Sequence, residues 1–177
     1  MPLTVLVLIG AVGGGLVLQR AFPAQPRTAG QPGSPAVQQS PSDIAEISFT
    51  PDAQAHPDSA RIHWTLQLHF NAINMRQYET WKNTVVEERQ QQLPEDEWQK
   101  AYASTRDAAI KVHRIEPGPD DSLRLLLSFV SIQNPADAPA GLHSPCVRWR
   151  AVYPLVLDRG AFRVDTTPPG GAIAEPC

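Results

Sequence analysis

The run from Leu3 to Leu18 (LTVLVLIGAVGGGLVL) carries no charge and almost no polar side chain. Nothing else in the chain constrains it as strongly. A membrane-crossing helix takes about twenty apolar residues, and signal-peptide cores are shorter. The run falls between the two. Its first reading is a tethering transmembrane helix. A cleaved signal peptide is the second, weakened by Ala21-Phe22-Pro23-Ala24, a poor cleavage site. A buried core helix is the third, disfavoured by Gly13-Gly14-Gly15 and by the missing polar face. No Cys follows closely, so lipoprotein anchoring is not indicated. Lys and Arg are absent before the run and Arg20 lies after it, so the positive-inside rule does not favour export of the C-terminal part. The spacer and the cysteines favour it.

Residues 19–42 (QRAFPAQPRTAGQPGSPAVQQSPS) offer Pro, Gly, Gln, Ser and Ala with few large apolar side chains. Such a stretch buries too little surface to offset its ordering entropy, and its prolines bias it to extended conformations. It reads as a disordered spacer. The globular part is expected over 43–166, with 167–177 as a Pro/Gly tail ending in Cys177. Formal net charge is −3 and no basic run exists, which argues against nucleic acid as partner. Cys146 and Cys177 show neither CxxC spacing nor a companion metal-ligand cluster. In an exported chain they permit one disulfide. In a reduced compartment they would be free thiols.

Within the globular part, Pro57-Asp58-Ser59 has helix-start chemistry, and Ile62, Leu66, Phe70 and Ile73 recur at helical spacing. Tyr78 and Trp81 mark a second helix. Trp98 and Tyr102 mark a third, after Leu93-Pro94. Strands follow over Ala109 to Ile115, Leu123 to Gln133, Cys146 to Leu157 and Ala161 to Asp165. Pro154 predicts a bulge or bend in the third, and Asp158-Arg159-Gly160 a tight hairpin turn. The expected fold class is α+β: N-terminal helices on a curved antiparallel sheet of about four strands.

His69-Phe70-Asn71-Ala72-Ile73-Asn74-Met75-Arg76-Gln77-Tyr78-Glu79-Thr80-Trp81, and the closing stretches Cys146 to Tyr153 and Gly160 to Asp165, resemble the nuclear transport factor two-like (cystatin-like cone) superfamily. The likeness is to its exported, membrane-tethered bacterial branch and covers about residues 57–166. It implies a sheet wrapped around a long helix to enclose a conical cavity. It implies little about activity, because members of the superfamily include enzymes, binders and assembly proteins.

Enzymes of that kind place an Asp, His or Tyr inside the cone. The positions expected to face inward are Ile110, Val112, Leu125, Leu127, Phe129, Trp149, Ala151, Tyr153, Leu155 and Phe162 or Val164, nearly all apolar. Possible cavity residues are Phe70, Tyr78, Trp81, Phe129, Trp149 and Tyr153. His113 would face inward only on a register shift of one. His63 and His69 are wrongly spaced for a shared metal, and Trp64, Trp81 and Trp98 read as helix-packing residues. No catalytic, cofactor or metal set emerges. The expected function is a non-catalytic accessory or scaffold domain, tethered through Leu3 to Leu18 and engaging an envelope or membrane protein complex. The alternative is a binder of a small apolar ligand. An isomerase or dehydratase is a more distant third.

Overall fold

The computed structural model describes residues 44–177. The expected anchor and spacer lie outside the described residues. Among the described residues no helix is long and apolar enough to cross a membrane.

The elements run β1 (Ile47–Phe49), α1 (Pro51–Gln54), α2 (Ser59–Asn74), α3 (Tyr78–Lys82), α4 (Glu87–Gln92), α5 (Glu95–Ala101), β2 (Arg106–Pro117), β3 (Leu123–Ile132), β4 (Cys146–Asp158), β5 (Ala161–Val164) and β6 (Ala172–Pro176). The α+β plan stands, with six strands instead of about four and a mixed sheet instead of an antiparallel one. Neighbours run β1-β2-β3-β4-β5, and β6 also pairs with β4. The sheet is not closed.

The added strands are those without an alternation long enough to read. β1 is three residues long and lies parallel to β2, with Ile47 opposite Ile110. A parallel pair needs a crossover, and here all five helices supply it. β6 arises in the stretch expected to be tail. It lies antiparallel to β4, from Val147 opposite Pro176 to Ala151 opposite Ala172.

α2 is the packing centre of the helical layer and lies against β1, β2 and β5. Ile62, Leu66 and Phe70 have no exposed surface and Ile73 almost none, as the helical spacing predicts. Beyond Asn74 the chain turns sharply, with Arg76 in the left-handed region at φ 58°. Trp81 and Trp98 are fully buried and form an aromatic cluster with Tyr78 and Tyr102, with ring centroids 5.3–5.8 Å apart along its contacts. Trp64 departs from expectation. It lies on the outer side of α2 and is 65% exposed.

β3 and β4 pair without interruption from Leu123 opposite Leu155 to Ile132 opposite Cys146. The expected bulge at Pro154 is not there. The Pro154 carbonyl accepts from the Asp165 amide at 2.9 Å, so its nitrogen faces the same edge of β4. On that edge β6 pairs only up to Ala151 and β5 only from Leu155. The proline sits in the gap, where a missing N–H costs no ladder bond. The irregularities are in β2 instead, between Ala108 and Lys111 and between Val112 and Arg114. The turn from β4 to β5 is the tight hairpin expected, with Arg159 at φ 48° and Gly160 at φ 81°.

The sulfurs of Cys146 and Cys177 lie 2.06 Å apart, at disulfide distance. The bridge fastens the end of β6 to the start of β4, beside a bond from the Cys177 amide to the Cys146 carbonyl at 3.1 Å.

Candidate functional site

Past the end of α2, the inner face of the sheet is left partly uncovered. A pocket of about 340 Å³ opens there. Its apolar walls are Ile73, Phe129, Trp149, Ala151 and Pro139. Its polar walls are Arg89, Tyr102, Asp107, Ser131, Gln133 and Tyr153, with Thr105, Asp137 and Thr167 also contributing. The near-wholly apolar interior expected from the strands is therefore corrected at this end of the sheet.

Asp107 is the residue that changes the chemistry. Simple alternation counted back from Ile110 and Val112 puts Ala108 inward and Asp107 outward. The bulge reverses that parity. Ala109, at φ 51°, is the extra residue, and Asp107, Ile110 and Val112 all face inward. Asn74 then holds the position. Its Oδ1 accepts from the Asp107 amide at 2.7 Å, and its Nδ2 donates to the Asp107 carbonyl at 2.9 Å. The last residue of α2 thus acts as a ladder partner for the bulged strand.

The Asp107 carboxyl accepts from the Ser131 hydroxyl at 2.6 Å and is 4% exposed. Burial raises its pKa to about 6, against the opposing effects of the Ser131 hydrogen bond and the Arg76 charge. Burial also raises the pKa of Tyr153 and of Tyr102, opposed in both by the positive charge of Arg89. The Arg89 guanidinium lies close enough to act on Tyr102, and its Nη1 donates to the Asp165 carbonyl at 3.1 Å. Among the described residues Arg89 forms no ion pair with a carboxylate.

Two donors at this wall have no partner among the described residues. They are Nε2 of Gln133 and Nε1 of Trp149, both buried. Unpaired buried donors cost on the order of 1–3 kcal/mol each. Trp81 Nε1 and Trp98 Nε1, in the aromatic cluster, also have no partner among the described residues, so what sets Gln133 and Trp149 apart is their place at a pocket.

Of the expected cavity residues, Phe129, Trp149 and Tyr153 line the pocket. Phe70 does not. It packs behind them, with its ring 5.3 Å from that of Phe129 and 6.2 Å from that of Tyr153. Tyr78 and Trp81 belong to the aromatic cluster, which supports the pocket through Tyr102. His113 is exposed and faces the other side of the sheet, with Nε2 2.8 Å from the Ser128 hydroxyl.

His69 is fully buried and His63 exposed, on different sides of α2. The Thr84 hydroxyl donates to the Trp81 carbonyl, so His69 Nδ1, 2.8 Å from the Thr84 hydroxyl oxygen, carries a proton and donates to that hydroxyl. Burial, and secondarily the charge of Arg89, hold the His69 pKa well below the ordinary value. His69 is thus a neutral core residue. Among the described residues no group of His, Cys, Asp and Glu could hold a metal ion.

No known family, curated protein or solved structure matches this chain, so a functional reading rests on the chemistry of the pocket itself.

Proposed function

We propose that residues 44–177 form a non-catalytic binding module for a small, mainly apolar ligand, held at the outer face of a membrane by Leu3 to Leu18. The observation that carries this reading is the pocket beyond α2. Its volume lies at the small end of the range for ligand sites, about 300–1,000 Å³. Its walls pair aromatic surface with a few convergent polar groups, the usual composition of such sites. The disulfide supports an oxidising, extracytoplasmic location. Helices followed by an antiparallel run against the long α2 support the likeness to the nuclear transport factor two-like superfamily. Among the described residues no histidine or cysteine lines the pocket to pair with Asp107, which supports binding over acid–base turnover.

The test is native mass spectrometry of the full-length chain from its own cells, beside an Ala151→Phe variant that fills the pocket. Ala151 lines the pocket and is 7% exposed. A small molecule released by denaturation from the parent and missing from the variant is the expected result. Equal recovery from both chains would place the ligand elsewhere.

A second reading, an accessory or scaffold domain of an envelope protein complex, is favoured by Trp64. This large aromatic is exposed beside a shallow depression formed with Arg61, Gly160 and Phe162. Interfaces take their anchors from such residues. In-cell crosslinking should then capture one recurrent partner from the parent and lose it in Trp64→Ser.

A further inference from the structure

The pocket wall carries both acceptors and donors, and its donors include groups left without a partner among the described residues. On the donor side stand the Arg89 guanidinium, the Tyr102 and Tyr153 hydroxyls, the Gln133 amide and the Trp149 indole. Two of these five, Gln133 Nε2 and Trp149 Nε1, find no acceptor among the described residues. Arg89 has a backbone carbonyl and no carboxylate partner among the described residues. Charge at a pocket wall is stabilised by an opposite charge, and a guanidinium presents a planar fork that matches two oxygens. The missing partner is therefore a group made of acceptors and carrying negative charge.

We propose that the pocket takes a small, largely apolar carboxylic acid whose carboxylate lies against Arg89, with the Tyr102 and Tyr153 hydroxyls as further donors. This rests on the binding-module reading and names its ligand class. The aromatic walls suit an aryl or short acyl body. At about 30 Å³ per water-sized group, 340 Å³ accommodates on the order of a dozen non-hydrogen atoms.

Two carboxylates at the pocket oppose an anion, and the buried one makes the proposal testable. Asp107 is a carboxylate on the same wall. It is faced by Ser131 from β3, Tyr153 from β4, Tyr102 after α5 and the charge of Arg76 after α2, and Arg89 from α4 lines the same pocket. Asp137, the other carboxylate at the pocket, is exposed and held by the Ser104 hydroxyl at 2.5 Å. Two carboxylates sharing a site retain a proton between them. Asp107 already holds its proton up to about pH 6. An arriving carboxylate raises that further, so binding takes up a proton. Protonated Asp107 then becomes a donor to the ligand.

The experiment is calorimetric titration of the full-length chain in lipid nanodiscs. The probes are 3-phenylpropanoate, 3-phenylpropanamide and 3-phenylpropylamine, with empty nanodiscs as the blank. The acid is expected to bind roughly tenfold tighter than the amide, in line with the greater strength of charge-assisted bonds. Its affinity should fall as pH rises from 5 to 8, with proton uptake seen as a buffer-dependent heat. Arg89→Gln should erase the preference for the acid. Asp107→Asn should erase the pH dependence and spare the preference. If the amide or amine binds as tightly as the acid, the ligand class is wrong and the binding module stands. If none of the three perturbs the Trp149 indole resonance, both fall together.

Discussion

The inner face of β3 and β4 is a single alternation with two outcomes. Toward one end, Leu125, Leu127 and Leu155 meet Val164 and the buried side of α2, and all are at most 2% exposed. Toward the other, Phe129, Ser131, Gln133 and Trp149 face a pocket. The strands are equally regular in both halves. What differs is the cover. α2 ends at Asn74 and the chain turns away at Arg76, leaving α4, the segment after α5 and the stretch leading into β6 to enclose the rest. A helix packs a sheet closely along its length, and a rim of loops leaves space. Core and site here are made by the same strand pattern under different roofs.

Truncating one aromatic from each half is the most direct way to break this comparison. Phe70 is fully buried on the inner side of α2, and Phe70→Ala should cost about 3–5 kcal/mol in urea unfolding. Phe129→Ala removes the same atoms beside space that already exists, so its cost should be lower by about 1 kcal/mol or more. Equal costs would mean that the pocket half is packed as tightly as the core.

The rim makes the next test. β6 has no buried residue, and its ion pair, Arg150 to Glu175 at 2.6 Å, lies at the surface, where such pairs contribute little. The strand therefore depends on its ladder and on the bridge from Cys146 to Cys177. Cys177→Ser should cost roughly 3–4 kcal/mol by the chain-entropy argument. The β6 amides should then exchange with solvent ahead of those of β3, measured by hydrogen exchange. Unchanged protection in β6 would show the ladder to be sufficient alone.

How far each half could be read in advance follows the same division. The closed half was legible because α2 and β3 carry long unbroken periods. Ile62, Leu66, Phe70, Leu125 and Leu127 all fall where the spacing puts them. In the pocket half, Ser131 and Gln133 continue the parity of Phe129 and needed only two more steps along the strand. Asp107 was not legible by parity. One extra residue at Ala109 turns it inward, and nothing in the local sequence marks a bulge there. Arg89 and Tyr102 reach the pocket through the packing of α4 and α5, which a helical period does not encode. β1 and β6 were too short, and Pro154 pointed to a bulge because the gap between β5 and β6 was not foreseeable.

Acid titration sharpens the contrast between the halves, because each buries one Asp or His side chain and the two act in opposite directions. Asp107 has its folded pKa raised from 3.8 to about 6, so the folded state holds the extra proton. Its contribution is complete below about pH 3.8 and is lost as pH rises through 6. At about 1.4 kcal/mol per tenfold change in proton affinity, it amounts to at most roughly 3 kcal/mol. His69 has its folded pKa lowered, so its contribution is present above 6.5 and is lost as pH falls. In the parent chain the two partly cancel. Asp107→Asn should leave a stability that declines on acidification below 6.5, and His69→Gln one that rises between pH 7 and 4. Parallel curves for the two variants would mean that one of these groups is not buried as described.

The smallest effect expected concerns the orphaned amide. Gln133 is 9% exposed and its Nε2 has no partner, although its backbone amide donates to the Pro145 carbonyl at 3.0 Å. Gln133→Leu keeps the backbone bond, keeps much of the volume and removes the unsatisfied donor. Replacing a buried polar group that lacks its partner with an apolar one is neutral or stabilising, here by on the order of 1 kcal/mol. The closed half offers a control, because Trp81 Nε1 and Trp98 Nε1 are also buried without a partner among the described residues but do not line the pocket. A gain in stability together with weaker ligand binding would show that the pocket half retains an unpaired donor for its ligand at the expense of stability. A loss of stability would mean that Gln133 already has a partner, an ordered water or a neighbouring carbonyl, and that the pocket is less in need of an acceptor than its walls suggest.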